Sequence, residues 1–305
     1  MTGIPSFFIR YGGEFAALTT ALFWVLSATA FSHLKGTVPA LEINFIKSAL
    51  GALLTGAIIL VLGGFPRMDP AAAALFALSG AVGIGIGDSG YLAALNYLGV
   101  RTTMLLTTLS PPITALIALV FLGERLPATS WLGILLTVSG VAWVISENRG
   151  QLNGQERHDW RKGVALGLLC PITMAFSSVL SRAGFAHGEI DPFASSLVRL
   201  FGASFFLLPV LIVLRVHPSG WLRERRVLRT GGFLVLGTVL GPLVGASSSQ
   251  LALKLIPAGV AQTLISTNPL FALLLAVLAG EKVTLRAILG GLVVVLGVAL
   301  IFGVV

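Results

Sequence analysis

The stretch Leu98–Val144 decides the fold, because a second copy of it follows later in the chain. It reads LGVRTTMLLTTLSPPITALIALVFLGERLPATSWLGILLTVSGVAWV, and Leu255–Ile301 reads LIPAGVAQTLISTNPLFALLLAVLAGEKVTLRAILGGLVVVLGVALI. At one constant offset the matched positions are Pro112 with Pro269, Gly123-Glu124-Arg125 with Gly280-Glu281-Lys282, Gly133 with Gly290, and Gly140 with Gly297. Earlier positions match more weakly, namely Gly80 with Gly237, Lys47 with Arg199 and Ser27 with Ser177. Self-similarity of this kind predicts two similar halves.

The composition predicts that both halves lie in a membrane. Of the 305 residues, 56% are hydrophobic and 10% are charged, with a mean hydropathy of +0.96, whereas an ordinary soluble domain has about 25% charged residues. This excludes a soluble globule, and it also excludes a disordered chain. The net charge is +8, but the basic residues fall mainly at predicted span ends and in loops. They therefore indicate lipid headgroups rather than nucleic acid as the partner.

Apolar runs of about 20 residues predict ten membrane-spanning helices. We place them at 13–32, 39–62, 71–97, 101–122, 129–146, 162–183, 192–214, 230–254, 258–279 and 285–304. The first repeat is residues 1–147, the polar linker is 148–161 and the second repeat is 162–305. Arg10 and the apolar run ending in Ala28-Thr29-Ala30 also imitate a cleavable signal peptide. Its removal would leave the matching helix of the second half without a partner, so we expect it to be retained.

The number of helices in each half has a consequence for the fold. With five spans, an odd number, the chain leaves the first half on the opposite side from its entry, so the second half is inserted upside down. Inverted repeats of this kind place a site near the middle of the bilayer, which either side reaches when one half rocks on the other. The sequence therefore predicts an all-α membrane protein with the architecture of a secondary transporter, acting on a small-molecule substrate.

The repeated element resembles a known domain. Pro112, then Phe121-Leu122-Gly123-Glu124-Arg125-Leu126, then Gly133 and Gly140, with a second copy at Gly280-Glu281-Lys282-Val283, resembles the EamA domain. Two such domains in tandem resemble the ten-span drug/metabolite transporter superfamily. The resemblance implies a transporter, often an exporter of amino acids or related metabolites, in a bacterial or archaeal cytoplasmic membrane. It does not define the substrate.

The repeated prolines and glutamates have different predicted roles. Pro112 and Pro269 are expected inside helices, where each removes a backbone hydrogen bond and bends its span. The bend is either a hinge that lines the cavity or a static kink fixed by packing. Glu124 and Glu281 follow a glycine that ends a helix, and we expect each carboxylate to stabilise the N-terminus of the following helix by about 0.3–1 kcal/mol.

Charges inside the hydrocarbon layer cost about 2.5–3.5 kcal/mol on insertion scales, so each is a functional candidate. Lys47 and Asp88 lie on antiparallel predicted helices, about 12 and 14 Å from the same membrane face at 1.5 Å per residue. Asp88 therefore either pairs with Lys47 as a structural element or lines the cavity as a substrate or proton site. No other carboxylate is expected at this depth, so any proton coupling would use Asp88.

In the second half, Arg199 occupies the place of Lys47, but Gly245 stands where an acidic partner is expected. Arg199 then either binds a carboxylate of the substrate with its planar guanidinium or extends to the surface towards Glu189 or Asp191.

Neutral polar residues at mid-span complete the predicted binding set: Trp24, Asn44, Tyr91, Ser248, Gln250 and Asn268. They either line the cavity or form hydrogen bonds between helices, worth about 0.6 kcal/mol each. The single cysteine, Cys170, excludes an intramolecular disulfide and a thiolate metal cluster. No catalytic motif falls in a span and no Walker A sequence is present, so we expect neither an enzyme nor a cofactor. The second interpretation is a receptor or scaffold without transport activity.

The orientation in the membrane is left open by two arguments that disagree. Basic residues are far more numerous on the side of the two long loops than on the side of the termini, which places those loops in the cytoplasm. The family resemblance implies cytoplasmic termini instead, and we favour it slightly. The oligomeric state is not predicted.

Overall fold

The computed structural model describes residues 6–34, 36–145, 154–216, 227–278 and 285–302, and the regular structure in these ranges is entirely helical. The helices are α1 (Ser6–Ser32), α2 (Ala40–Val61), α3 (Pro70–Gly80), α4 (Ser89–Thr107), α5 (Ser110–Leu122), α6 (Ala128–Ile145), α7 (Gly154–Phe185), α8 (Pro192–Val213), α9 (Val227–Thr238), α10 (Ala246–Leu255), α11 (Ala258–Ile265), α12 (Asn268–Leu278) and α13 (Leu285–Phe302). Two π-helical segments, π1 (Ala81–Asp88) and π2 (Val239–Gly245), join α3 to α4 and α9 to α10.

Helix length and surface both fit a lipid environment. Six helical stretches are long and apolar enough to cross a membrane, namely Arg10–Ser32, Ala40–Val61, Pro70–Ala94, Trp160–Phe185, Pro192–Val213 and Val227–Leu255. Shorter apolar helices cover Ser110–Leu122, Ala128–Gly140 and Ile288–Leu300. Large apolar side chains such as Phe205 and Leu228 are 83% and 89% exposed. An apolar outer surface of this extent is typical of a protein that is covered by lipid.

The chain reverses direction within α4. Ala94 and Leu106 would lie about 18 Å apart along a straight helix. Yet a Cβ atom placed on Gly167 of α7 would lie 3.6 Å from the Cβ of Ala94 and 2.5 Å from a methyl group of Leu106. Both parts of α4 therefore pack on the same level of α7, and the third and fourth predicted spans form a hairpin here.

Equivalent helices of the two halves run antiparallel to each other. A Cβ atom on Gly140 of α6 would lie 2.9 Å from the carbonyl oxygen of Gly290 in α13, and one on Gly297 would lie 2.8 Å from that of Gly133. The contact of position 140 with position 290 is thus repeated by position 297 with position 133. This reciprocity is what a two-fold relation between the halves requires, and glycine is needed because the backbones approach so closely.

The same exchange relates the helices at the centre of the bundle. In the first half, α1 packs against π2 and α10 of the second, while α7 packs against π1 and α4 of the first. A Cβ atom placed on Gly241 of π2 would lie 2.4 Å from the Oγ atom of Ser27 on α1. In the same way, a Cβ atom placed on Gly83 of π1 would lie 2.3 Å from the Oγ atom of Ser177 on α7. The two π-helical segments therefore occupy equivalent places, and π-helical turns are frequent at functional sites.

One end of the bundle is filled by apolar side chains. We call it the closed end, defined by the α10–α11 corner at Ile256–Pro257 and the α5–α6 loop at 123–127. A cluster of buried residues from both halves packs there, and it includes Ala17, Phe76, Val179, Ile256 and Leu264. The opposite end is defined by the α1–α2 loop at 36–39, which lies at the far end of α1.

Candidate functional site

A cavity of about 920 Å³ lies between the two halves. Its lining residues come from α1, α2, π1, α4 and α5 of the first half and from α7, α8, π2, α10, α11 and α12 of the second. It extends from the α1–α2 loop, where Gly36, Thr37 and Val38 line it, to Leu253 and Gln262 above the closed end. We therefore call the 36–39 end the mouth.

Most of the predicted binding residues line this cavity. They are Trp24, Lys47, Asp88, Tyr91, Arg199 and Asn268. Asn44, Ser248 and Gln250 lie elsewhere. Gln250 is fully buried with no hydrogen-bond partner for its amide in the part of the chain that the structure describes. On α10 the residues that line the cavity are Ala246, Ser249 and Leu253, and neither Ser248 nor Gln250 is among them.

Lys47 of α2 donates a hydrogen bond to the Oδ2 atom of Asp88, the last residue of π1. Their side chains are only 14% and 20% exposed, so each charge offsets most of the desolvation of the other. Asn44, one turn earlier on α2, donates from Nδ2 to the carbonyl of Ile84 at 2.9 Å and to the hydroxyl of Ser89 at 3.0 Å. Asn44 thus holds π1 against α2 and positions Asp88, although it does not line the cavity itself.

Arg199 does not reach towards Glu189 or Asp191, so that alternative was wrong. Its Nε donates to Ser79 Oγ at 3.0 Å and its Nη2 donates to Ser177 Oγ at 3.1 Å. Glu189 instead accepts from Lys254 at 2.9 Å, and this hydrogen bond lowers the pKa of its carboxyl group below the ordinary value. Asp191 caps the N-terminus of α8. Arg199 therefore stays within the bundle because serines on α3 and α7 satisfy it.

The serines around Arg199 form a closed network. Ser79 donates to the carbonyl of Ser177 at 2.7 Å, Ser177 donates to the carbonyl of Ser79 at 2.9 Å, and Ser181 lies 2.8 Å from Ser79. These three serines are at most 2% exposed. A Cβ on Gly80 would lie 1.8 Å from the carbonyl oxygen of Arg199, so glycine is required there for α3 to bring Ser79 close enough to bond.

The repeated prolines mark interruptions of helices rather than bends inside them. Helix α4 ends at Thr107 and α5 begins at Ser110, so Pro112 lies in the first turn of α5. In the second half, α11 ends at Ile265, α12 begins at Asn268, and Pro269 lies in its first turn. The expectation of a proline within a helix was wrong, because proline is favoured where the first backbone N–H groups have no helical acceptor.

Both interruptions open into the cavity. Thr107 and Ser110 line it at the first break, and Ser266 and Asn268 line it at the second. Broken helices within a membrane protein expose backbone groups that only a polar cavity or a neighbouring chain satisfies. The cavity wall therefore has a charged side, at Lys47, Asp88 and Arg199, and a neutral polar side at the two breaks.

Several polar residues of the site were missed from the sequence. Gln262 of α11 donates to Ser178 of α7 where the cavity meets the closed end, and both line the cavity. The signal for Gln262 was present, as an amide side chain in a largely apolar span. Glu14 of α1, which is not among the residues that line the cavity, was also missed, because Asp88 was expected to be the one deep carboxylate. Glu14 is fully buried, and neither carboxylate oxygen has a side-chain or neighbouring partner among the described residues.

Glu124 caps a helix, but not the one that follows it. Gly123 ends α5 in the left-handed conformation, with a φ of 68°, and the Glu124 Oε2 atom then accepts from the backbone N–H of Ala258 at 3.0 Å. The capped helix is α11 of the other half, not α6. The reason is that Arg182 holds the carboxylate, donating from Nε to Oε1 at 2.8 Å. Glu281, the matching residue, lies outside the described residues.

Arg182 also closes the end of α10. Its Nη1 donates to the carbonyls of Leu253 at 2.8 Å and Lys254 at 2.7 Å. These are among the last carbonyls of the helix, which have no helical donor. We call Glu124 and Arg182 the clamp. It joins α5, α7, α10 and α11 at the closed end, directly beside the apolar cluster.

Membrane-length helices in two interlocking halves around a cavity that contains charged and polar side chains are the architecture of a membrane transporter. The model of the EamA-like transporter family matches residues 11–146 and again residues 161–303. The chain therefore belongs to the EamA-like transporter family, whose members lie in membranes and transport small molecules.

Comparison with solved structures agrees on the fold. One crystal structure, described only as that of a protein, superposes with a TM-score of 0.75 at 18% sequence identity, over 95% of this chain and 96% of that chain. At this identity the likeness shows the fold alone. No curated protein matches the chain.

Proposed function

We propose that the protein is a ten-span secondary active transporter that carries a small polar or amphipathic metabolite by alternating access. The observation that carries the proposal is a largely apolar cavity with three charged side chains in its wall, which lies between two reciprocally packed halves. It has a mouth at one end and an apolar cluster with a clamp at the other. In an inverted repeat, exchanging the conformations of the halves would close the mouth and open the closed end. The breaks before Pro112 and Pro269 are the proposed hinges.

The proposed binding residues are those that line the cavity: Trp24, Lys47, Asp88, Tyr91, Arg199 and Asn268. Trp24 and Tyr91 each supply an apolar surface with one hydrogen-bonding group, which suits a metabolite with both apolar and polar parts. An amino-acid-like solute fits this set, and export is the direction that the family favours. Coupling to protons is proposed through Asp88, with the proton competing against Lys47 for the carboxylate.

The proposed domains are residues 1–147 and 162–305, joined by the linker 148–161, in a cytoplasmic membrane of a bacterium or archaeon. With cytoplasmic termini, the mouth would face outwards. A reporter fused to the C-terminus, active in one compartment only, distinguishes the two orientations. A receptor or scaffold remains the second interpretation, and the volume of the cavity argues against it.

The decisive experiment is counterflow in proteoliposomes. Vesicles loaded with an unlabelled amino-acid-like solute should accumulate the labelled solute transiently if the protein is a carrier. An Asp88→Asn variant should lose dependence of uptake on a pH gradient if Asp88 carries the proton. Absence of counterflow for every metabolite of a broad panel, with correctly folded protein, would contradict the proposal.

A further inference from the structure

Among the described residues, Arg199 is the one charged side chain of the cavity wall without an ion-pair partner, although the carboxylate of Asp88 attracts it from a greater distance. The charged side chains that line the cavity are Lys47, Asp88 and Arg199, and the first two pair with each other. In the part of the chain that the structure describes, no carboxylate lies within 4 Å of the Arg199 guanidinium. The wall thus carries one net positive charge, in a place where an unpaired charge is costly.

The structure holds this charge with neutral groups. Ser79 and Ser177 accept from Nε and Nη2, and both hydroxyls are in turn fixed by hydrogen bonds to each other's backbone. Serine hydroxyls orient a guanidinium without neutralising it, whereas charged side chains within a membrane bundle usually pair with one another or with backbone carbonyls. The remaining nitrogen, Nη1, has no acceptor among the described residues, and the side chain lines the cavity. Fixed geometry with an unused donor is the arrangement of a preorganised anion site.

The surroundings of Arg199 define the rest of the ligand. Met174, Leu200, Trp24, Phe31 and Tyr91 line the same cavity as Arg199. These side chains offer an apolar and largely aromatic wall. An ammonium group would find no free carboxylate, because Asp88 is occupied by Lys47.

Resting on the proposed transport function, we propose that the solute is recognised as a monoanion, with a carboxylate held by Arg199 and an apolar or aromatic body against the apolar part of the cavity wall. A free amino group is not required for binding. Ser79 is a positioning residue, which acts by orienting the guanidinium and not by touching the solute.

The test uses three probes of one shape and different charge: 3-phenylpropionate, 3-phenylpropionamide and 3-phenylpropylamine. Binding to the purified full chain in detergent is measured by the rise in unfolding temperature and by calorimetry. The carboxylate should bind about tenfold or more tightly than the amide and the amine. Arg199→Gln should abolish this preference, while Arg67→Gln, which removes an exposed arginine of the α2–α3 loop, should leave it intact.

Two further variants keep the test informative if Arg199→Gln does not fold. Arg199→Lys retains the charge without the planar fork and should bind the carboxylate more weakly than the wild type but still prefer it to the amide. Ser79→Ala should weaken carboxylate binding and leave amide binding unchanged, a difference that general destabilisation would not produce.

Equal binding of the three probes, failure of all three to bind, or a carboxylate preference that survives Arg199→Gln, would each overturn the inference. The proposed function is tested separately by counterflow. Counterflow of a neutral or cationic solute would support the transport function and contradict the anion site. Carboxylate binding without any counterflow would support the anion site and contradict the transport function.

Discussion

Removing the clamp should open the closed end. Arg182 makes three hydrogen bonds, one to Glu124 and two to carbonyls of α10. The side chains of the ion pair are 27% and 16% exposed, so solvent screens them only in part. Breaking a buried pair costs about 3–5 kcal/mol, and this partial exposure puts the cost of Arg182→Met near the lower end, at about 3 kcal/mol. If only the closed conformation loses this stabilisation, the equilibrium between closed and open conformations shifts about 150-fold towards the open one.

The assay is alkylation of a cysteine placed in the apolar cluster. Ile256 is 3% exposed and lies at the corner that the clamp spans, so Ile256→Cys in a Cys170→Ser background should react slowly with N-ethylmaleimide. Arg182→Met should accelerate this alkylation by up to about 150-fold, the shift expected for the opening equilibrium. Lys254→Met is the matched control, since it removes a neighbouring cation whose partner, Glu189, is 95% exposed, and such pairs contribute little.

The reasoning is refuted if Arg182→Met lowers the unfolding temperature without changing the alkylation rate. That result would make the clamp a static contact, present in every conformation of the transport cycle. An equal acceleration in Lys254→Met would show instead that loss of any cation at this end loosens the cluster.

Three further predictions concern the other polar and close contacts. Lys47→Met leaves Asp88 unpaired and should lower the free energy of unfolding by about 3–5 kcal/mol. The double variant Lys47→Asp with Asp88→Lys exchanges the two charges and should recover most of this loss. A double variant as unstable as Lys47→Met would contradict the pairing. Gly140→Ala forces a methyl group to 2.9 Å from a backbone oxygen and should cost about 1–3 kcal/mol in thermal unfolding, whereas Gly232→Ala, with nothing within 4 Å, should cost less. Because Lys254 lowers the pKa of Glu189, the ionised carboxylate stabilises the fold above the ordinary glutamate pKa, and this stabilisation is lost as the pH falls through the pKa of the folded state. Glu189→Gln should therefore slightly flatten the acid side of a plot of stability against pH. An unchanged plot would show that water screens the pair completely.

The sequence could predict the features that depend on the register of the internal repeat and on the depth of a residue along its helix. Gly133, Gly140, Gly290 and Gly297 match in register, and the structure uses all four at one antiparallel crossing. The distance of Lys47 and of Asp88 from the ends of their predicted helices was enough to place both at the same depth in the membrane. These predictions succeed because helical rise and repeat register are properties of the sequence alone.

Other features depend on which helices become neighbours, and the sequence does not contain that information in readable form. Glu124 caps α11 because α5 and α11 meet across the two halves, although α6 is the nearer helix along the chain. The partners of Arg199 come from α3 and α7, which both precede α8 in the chain but belong to different halves. The π-helical turns are also hidden, since the glycines of 83–87 can be read as simple packing residues.

The repeat is symmetric in its helices and asymmetric in its charges, and this asymmetry explains why Arg199 has no acidic partner at the position that matches Asp88. Lys47 pairs within its own half, from α2 to the end of π1. The matching end of π2 is Gly245, and a Cβ there would lie 2.6 Å from the Trp24 ring. Trp24 therefore occupies the space that an acidic side chain at position 245 would need. With that partner excluded, Arg199 turns to Ser79 of the first half and to Ser177 of its own half, and its side chain lines the cavity.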